Sequence, residues 1–161
     1  MNTQKKTCCV FGHRKISEKD KLKEKLSDIF EKLIDSGDVD TFLLGSKSEF
    51  NELCRDVLAV KKEKHPHIQR VYVRGEYPYI DEDYENYLLE RCEKTYFPKR
   101  AINAGRFSYI QRNYDMIDKS DICVIYFKKE YLPIVSKSGT ETAYKYALRK
   151  KRTIINLAED V

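Results

Sequence analysis

Ile122-Cys123-Val124-Ile125-Tyr126-Phe127 is the longest wholly apolar run in the chain, and its reading decides the fold. Six residues fall far short of the roughly 18 that a membrane span needs. An unbroken apolar strand is what a parallel sheet places at its centre, where helices cover both faces. Helical patterns flank the run. Residues 106–119 hold Phe107, Ile110, Tyr114 and Ile117 in register, and residues 139–151 form a helix after a loop at 128–138. A last strand is expected at 153–157.

The alternation continues upstream. Residues 7–11 read as a short strand ending at Gly12. In 17–36, Leu22, Leu26, Ile29, Phe30, Leu33 and Ile34 make one helical stripe. Ser17 is placed to cap that helix, with Asp20 three residues on, and Gly37 stops it. A strand at 41–44 ends at Gly45. A helix over 48–64 buries Phe50, Leu53, Cys54, Val57 and Leu58 and stops at His65-Pro66, and 69–73 is a third strand. Tyr84, Tyr87, Leu88, Arg91 and Cys92 predict a helix over 81–97, ending before Pro98. Strands alternating with helices imply a parallel sheet with right-handed crossovers. We therefore expect an α/β fold, a Rossmann-like three-layer sandwich. Its mainly parallel five-stranded sheet has strand order 3-2-1-4-5, with helices on both faces, and one domain spans 1–161.

Composition agrees. The 161 residues are 41% hydrophobic and include 12 Tyr and 7 Phe, which argues against disorder. Six Gly and four Pro leave no linker-like tract. No apolar signal segment follows Met1, so membrane association and classical secretion are not expected. The five cysteines, Cys8, Cys9, Cys54, Cys92 and Cys123, are odd in number and scattered. They read as small core residues of a cytoplasmic protein rather than a disulfide framework, and no metal-type spacing links them to a histidine. Lys plus Arg exceeds Asp plus Glu by 31 to 26, but the two signs interleave, which argues against a nucleic-acid-binding strip.

In such sheets ligands bind outside the carboxyl ends of the strands, where the strand order reverses. Gly12-His13-Arg14 follows the first strand, Gly45-Ser46-Lys47-Ser48 the second, and Arg74-Gly75-Glu76 the third. Ser136-Lys137-Ser138-Gly139-Thr140-Glu141 opens the helix after the fourth. Glycine lets backbone amides approach an anion, and a helix start aims N–H groups at it. The Ser138–Thr140 stretch either holds a phosphate or simply caps its helix. Arg112, with Asn113 beside it, is either an anion clamp or a surface ion pair, and His13 and Arg14 either touch a ligand or make a turn. Neither a G-x-G-x-x-G nor a P-loop pattern is present, so no cofactor is expected.

Taken together, Gly12-His13-Arg14, Gly45, Phe50-Asn51, Arg112-Asn-x-x-Met116-Ile-Asp118-x-Ser-Asp121, Lys137-Ser-Gly139-Thr140-x-x-Ala143-Tyr-x-Tyr-Ala147 and Ile154–Leu157 resemble the SLOG superfamily, named for the SMF, DprA and LOG proteins. The chain looks closest to its small single-domain bacterial members. The resemblance implies a Rossmann-like fold, a nucleotide or nucleotide-derived ligand such as an ADP-ribose-type molecule, and a homodimer or homotetramer. LOG proteins hydrolyse the N-glycosidic bond of nucleoside monophosphates, with a motif P-G-G-x-G-T-x-x-E. Here Gly139-Thr140 match its G-T, whereas Ala143 stands at the glutamate position and Glu141 is shifted.

Two function classes follow. In the first, a binder, Ser138–Thr140 hold phosphate with help from the Gly12 and Gly45 backbone and from Ser46. Arg14 and Arg112 neutralise charge, and Asn51, Glu76 or Glu141 accept ribose hydroxyls. In the second, a phosphoribohydrolase, Glu76 or Glu141 with Arg112 would be catalytic. DNA binding of the DprA kind is a third and weaker reading.

Overall fold

The computed structural model describes residues 4–128 and 139–158. The elements run β1 (Lys6–Gly12), α1 (Lys19–Asp35), β2 (Val39–Leu44), α2 (Glu49–Lys64), β3 (Gln69–Val73), α3 (Glu82–Leu89), β4 (Lys94–Tyr96), α4 (Ser108–Asp118), β5 (Ile122–Tyr126), α5 (Gly139–Arg149) and β6 (Thr153–Asn156). Short 3-10 turns at Lys99–Ala101 and Gly105–Phe107 precede α4. All pairings are parallel, and the six strands lie in the order β4-β3-β2-β1-β5-β6. The chain winds outward from β1 to β4, then returns to β5 on the other side, so the order reverses between β1 and β5.

Strand alternation splits the interior into two cores. Cys8 and Val10 of β1 point with Phe42, Leu44, Val124 and Tyr126 toward α1 and α2. Cys9 and Phe11 point with Leu43, Val71, Cys123 and Ile125 toward α4 and α5. Every residue of β5 is buried, as its apolar run requires.

Two expectations need correction. The sheet has six strands, because the predicted helix over 81–97 ends at Leu89 and is followed by β4. Asp81 caps α3 by accepting from the Tyr84 N–H, and Leu88 is its one buried residue. Glu93 then pairs with Arg70 through both carboxylate oxygens, at 3.1 and 2.8 Å, and also accepts the Arg70 N–H at 2.8 Å. That clamp draws 94–96 onto β3, a long-range effect that overrides the local helical pattern. The second correction is at α1. Ser17 makes no cap, and Glu18 enters the helix with a left-handed backbone, φ 53°. By contrast, Ser48 caps α2, its hydroxyl accepting the Asn51 N–H at 3.1 Å.

Candidate functional site

The site is built where α4 crosses the carboxyl ends of β2 and β3. Because α4 leads into the start of β5, its own first turns lie at the carboxyl edge of the sheet. The Ser108 hydroxyl donates to the Gly75 carbonyl at 2.8 Å and pins this end down. One turn on, Arg112 is 5% exposed. Its side chain runs between two glycines. A Cβ on Gly45 would sit 2.7 Å from Met116 Sδ and 2.9 Å from Arg112 Cδ, and a Cβ on Gly75 would sit 3.0 Å from Arg112 Nη1. Neither glycine has a positive φ, so it is the passage of this side chain that excludes a larger residue at both strand ends.

Arg112 Nε donates to Asn113 Oδ1 at 2.9 Å, and the guanidinium carbon lies 5.4 Å from the Tyr109 ring centre. Among the described residues no carboxylate comes within ion-pair distance, and the Nη groups make no hydrogen bond, although they are not sealed from solvent. Burial pushes the guanidinium downward from its ordinary value, with Tyr72, Tyr109 and Glu76 opposing the shift. An arginine nonetheless stays charged in a protein. A buried cation with no paired anion is costly, and buried charges are normally paired.

Around it stand Glu76, Lys47 and Tyr109. Lys47 Nζ is 3.6 Å from Glu76 Oε2, and that carboxylate raises the lysine above its usual range. Burial and the neighbouring Glu76 raise the Tyr109 phenol. One carboxylate and two cations leave the cluster a net positive charge beside an aromatic ring. That combination suits an anion attached to a planar or hydroxyl-bearing group.

Several expected ligand contacts are occupied by the fold itself. Asn51 is buried, with Oδ1 accepting the Gly45 N–H and Nδ2 donating to Ser48 Oγ, so its amide shapes the β2–α2 turn. Ser46 Oγ donates to Ser48 Oγ at 3.0 Å within the same turn. Gly12 makes room for Phe50, whose ring packs where a Cβ would stand. His13 accepts the Lys128 N–H on Nε2 at 2.7 Å, joining the ends of β1 and β5, and burial followed by nearby Lys128 lowers its pKa. Arg14 is exposed, and its carbonyl accepts the Glu49 N–H.

The expected residues therefore fall into two groups. Gly45, Glu76, Arg112 and Asn113 meet at the ends of β2 and β3. His13, Gly139, Thr140 and Glu141 belong to the β1–β5 side, about two strand spacings, or 10 Å, away. Glu141 pairs with Lys145 at 2.8 Å. A Cβ on Gly139 would meet nothing within 4 Å among the described residues. Ser138 and Lys137 lie outside the described residues. Lys47 and Gly75 stand in the strand-end stretches that the sequence marks, whereas Tyr109 lies outside them. Tyr109, three positions before Arg112 on a helix, and Gly75, at the third strand end, carried the available signal.

Two other features lie apart from this edge. Glu31, Asp35 and His65 could reach one metal ion, but Lys61 and Lys64 already lie 2.9 and 3.2 Å from Glu31. That cluster ties α1 to α2. A cavity of about 540 Å³ opens between α3 and the end of α4, floored by Thr41, Leu43 and Val71, and Arg112 is not among its lining residues. No helix of the described residues is long and apolar enough to cross a membrane. Comparison with protein-family models and with curated protein sequences gives no match.

Proposed function

We propose that this chain binds a nucleotide or nucleotide-derived signal, a nucleoside phosphate or an ADP-ribose-type molecule, at the carboxyl edge of its sheet. The observation that carries this reading is Arg112, a buried guanidinium with no carboxylate within ion-pair distance among the described residues, seated between Gly45 and Gly75. A ligand phosphate would supply the missing charge through the Nη groups. Tyr109 offers a ring for a base or sugar face, and Glu76 a carboxylate for hydroxyls. The first turn of α5 at Gly139, where a Cβ would meet nothing within 4 Å among the described residues, would give a second place for the anionic part of a longer ligand. The SLOG resemblance points to the same ligand class.

Binding is preferred to N-glycosidic hydrolysis because Ala143, at the LOG glutamate position, is wholly buried, and Glu141 is paired with Lys145. The test is calorimetric titration with AMP and with ADP-ribose, alongside assay for free base. Arg112→Met keeps much of the side-chain volume and removes the charge. It should weaken binding at least tenfold, in keeping with about 1.5–3 kcal/mol for a hydrogen bond to a charged group. The melting temperature should hold or rise, since replacing an unpaired buried ion by an apolar group relieves desolvation. Unchanged affinity in this variant would remove the reading. Enzyme-dependent release of base would replace it with hydrolysis.

A further inference from the structure

Arg112 has one edge left to offer an anion. Its Nε is taken by Asn113 Oδ1 at 2.9 Å, which leaves the outer fork of Nη1 and Nη2, neither of which makes a hydrogen bond among the described residues. Two parallel donors match two acceptor oxygens, the geometry of a bidentate pair. The fork is also confined. A Cβ on Gly75 would stand 3.0 Å from Nη1, so the backbone at the end of β3 runs close beside it.

The charge count is equally narrow. Glu76 is the carboxylate that acts on the guanidinium, and Lys47, 3.6 Å from Glu76 Oε2, is committed to that carboxylate. Arg112, Lys47 and Glu76 together leave one positive charge. Other cations near this edge have their own neighbours. Arg74 donates to the Tyr77 and Pro78 carbonyls and to Thr95 Oγ1, and Arg55 lies 5.9 Å from the Tyr72 ring centre. Rings approach Arg112 from both sides of the sheet. Tyr109 belongs to α4. Tyr72 pairs in register with Leu44 and so points to the α1–α2 side, yet it too acts on the guanidinium. The arginine thus reaches across the rim of the sheet. Beyond Tyr72 the aromatic surface continues through Tyr84 to Tyr77 and Tyr87, whose ring centres lie 6.4 and 6.2 Å from that of Tyr84 and which are 53% and 46% exposed.

Resting on the binding reading above, we propose that the anion Arg112 holds is a phosphodiester, with a planar group on each side of the phosphate. A phosphodiester carries one negative charge, which the net charge of the cluster matches. It has two non-bridging oxygens, one for each Nη. A terminal phosphate carries close to two charges at neutral pH. Its second charge would be left unpaired in a buried site, which is costly, and Glu76 would repel it. Its third oxygen would find no donor on the fork. One substituent of the diester lies toward Tyr109 and the other toward Tyr72 and the Tyr84 row, where a base ring can stack.

Calorimetric titration of the full chain with three probes tests the proposal: AMP, its methyl ester (adenosine 5′-methyl phosphate) and the dinucleoside monophosphate ApA. The work is done at about pH 8, where AMP is a dianion because its second ionisation lies near about pH 6. AMP and its methyl ester share base and sugar and differ only at the phosphate. The methyl ester should bind at least about tenfold more tightly than AMP, a gap of the size that one unpaired buried charge commands. ApA, with a second base, should bind more tightly than the methyl ester. Glu76→Gln, confirmed as folded by circular dichroism, frees Lys47 for a second charge. In that variant the methyl ester's advantage over AMP should shrink at least about threefold, the scale of one exposed ion pair. AMP that binds the wild type as tightly as its methyl ester overturns the proposal, and so does an advantage that Glu76→Gln leaves untouched. ApA that binds no more tightly than the methyl ester overturns the second planar group. Failure of all three to bind, or equal binding of all three by Arg112→Met, removes the Arg112 reading itself and this one with it.

Discussion

At Arg112 the strand-end glycines act as spacers for a neighbour's side chain. This differs from the usual reason for a glycine at a strand end, a backbone that must turn left-handed or approach a phosphate. Gly45 and Gly75 have ordinary backbone angles, and their hydrogen atoms face the arginine and its Met116 and Tyr109 neighbours. Gly45→Ala should therefore cost about 1–3 kcal/mol, the usual range for overpacking, and should displace Arg112, lowering ligand affinity along with the melting temperature. Gly139→Ala makes the contrast, since its Cβ would meet nothing within 4 Å among the described residues. Its stability change should stay within about 0.5 kcal/mol, so any loss of binding there would belong to the ligand. Thermal melts and titrations on the two variants separate these outcomes.

At the scale of elements, the sequence was most legible where one pattern ran without competition. The apolar run of β5, the single stripe of α1 and the Ser48-to-His65 helix lie within a residue or two of where the periodicity puts them. The strand 94–96 was not legible, because Leu88, Arg91 and Cys92 continue a helical spacing, and the contact that ends it is made to Arg70, more than twenty residues earlier. Helix starts show the same limit. Ser17 and Ser48 both stand ahead of helical runs, yet only Ser48 caps. Arg14 O accepts the Glu49 N–H and Glu49 Oε1 accepts the Ile16 N–H, which holds 14–16 against the start of α2. Ser48→Ala should cost about 1 kcal/mol, as loss of a cap does, while Ser17→Ala should leave denaturant midpoints unchanged. At the site, Arg112 and Gly45 could be read from the strand-end rule. Asn51 could not be placed, since whether its amide serves a ligand or a turn depends on a hydrogen bond six residues back to Gly45.

Across the whole molecule, the sheet divides the interior into two cores that share β1, β2 and β5. Each core has its own buried thiols. Cys8 and Cys54 lie with α1 and α2, and Cys9 and Cys123 lie with α4 and α5, their sulfurs 3.4 Å apart on neighbouring strands. All five thiols are buried, so a reagent cannot reach them in the folded protein, and burial also pushes the Cys8, Cys9 and Cys54 thiols well up from their ordinary values. The native chain should accordingly react with a thiol-specific reagent only as fast as it opens, and mass spectrometry of the labelled peptides should tell which cysteines were reached. If the sheet comes apart as one cooperative unit, Cys54 and Cys123 will acquire label at the same rate. If the α4–α5 layer lifts first, Cys123 will run ahead while Cys54 stays silent. The alternation that places adjacent cysteines on opposite sides of β1 thus gives the protein a built-in pair of clocks, one for each side of the sheet.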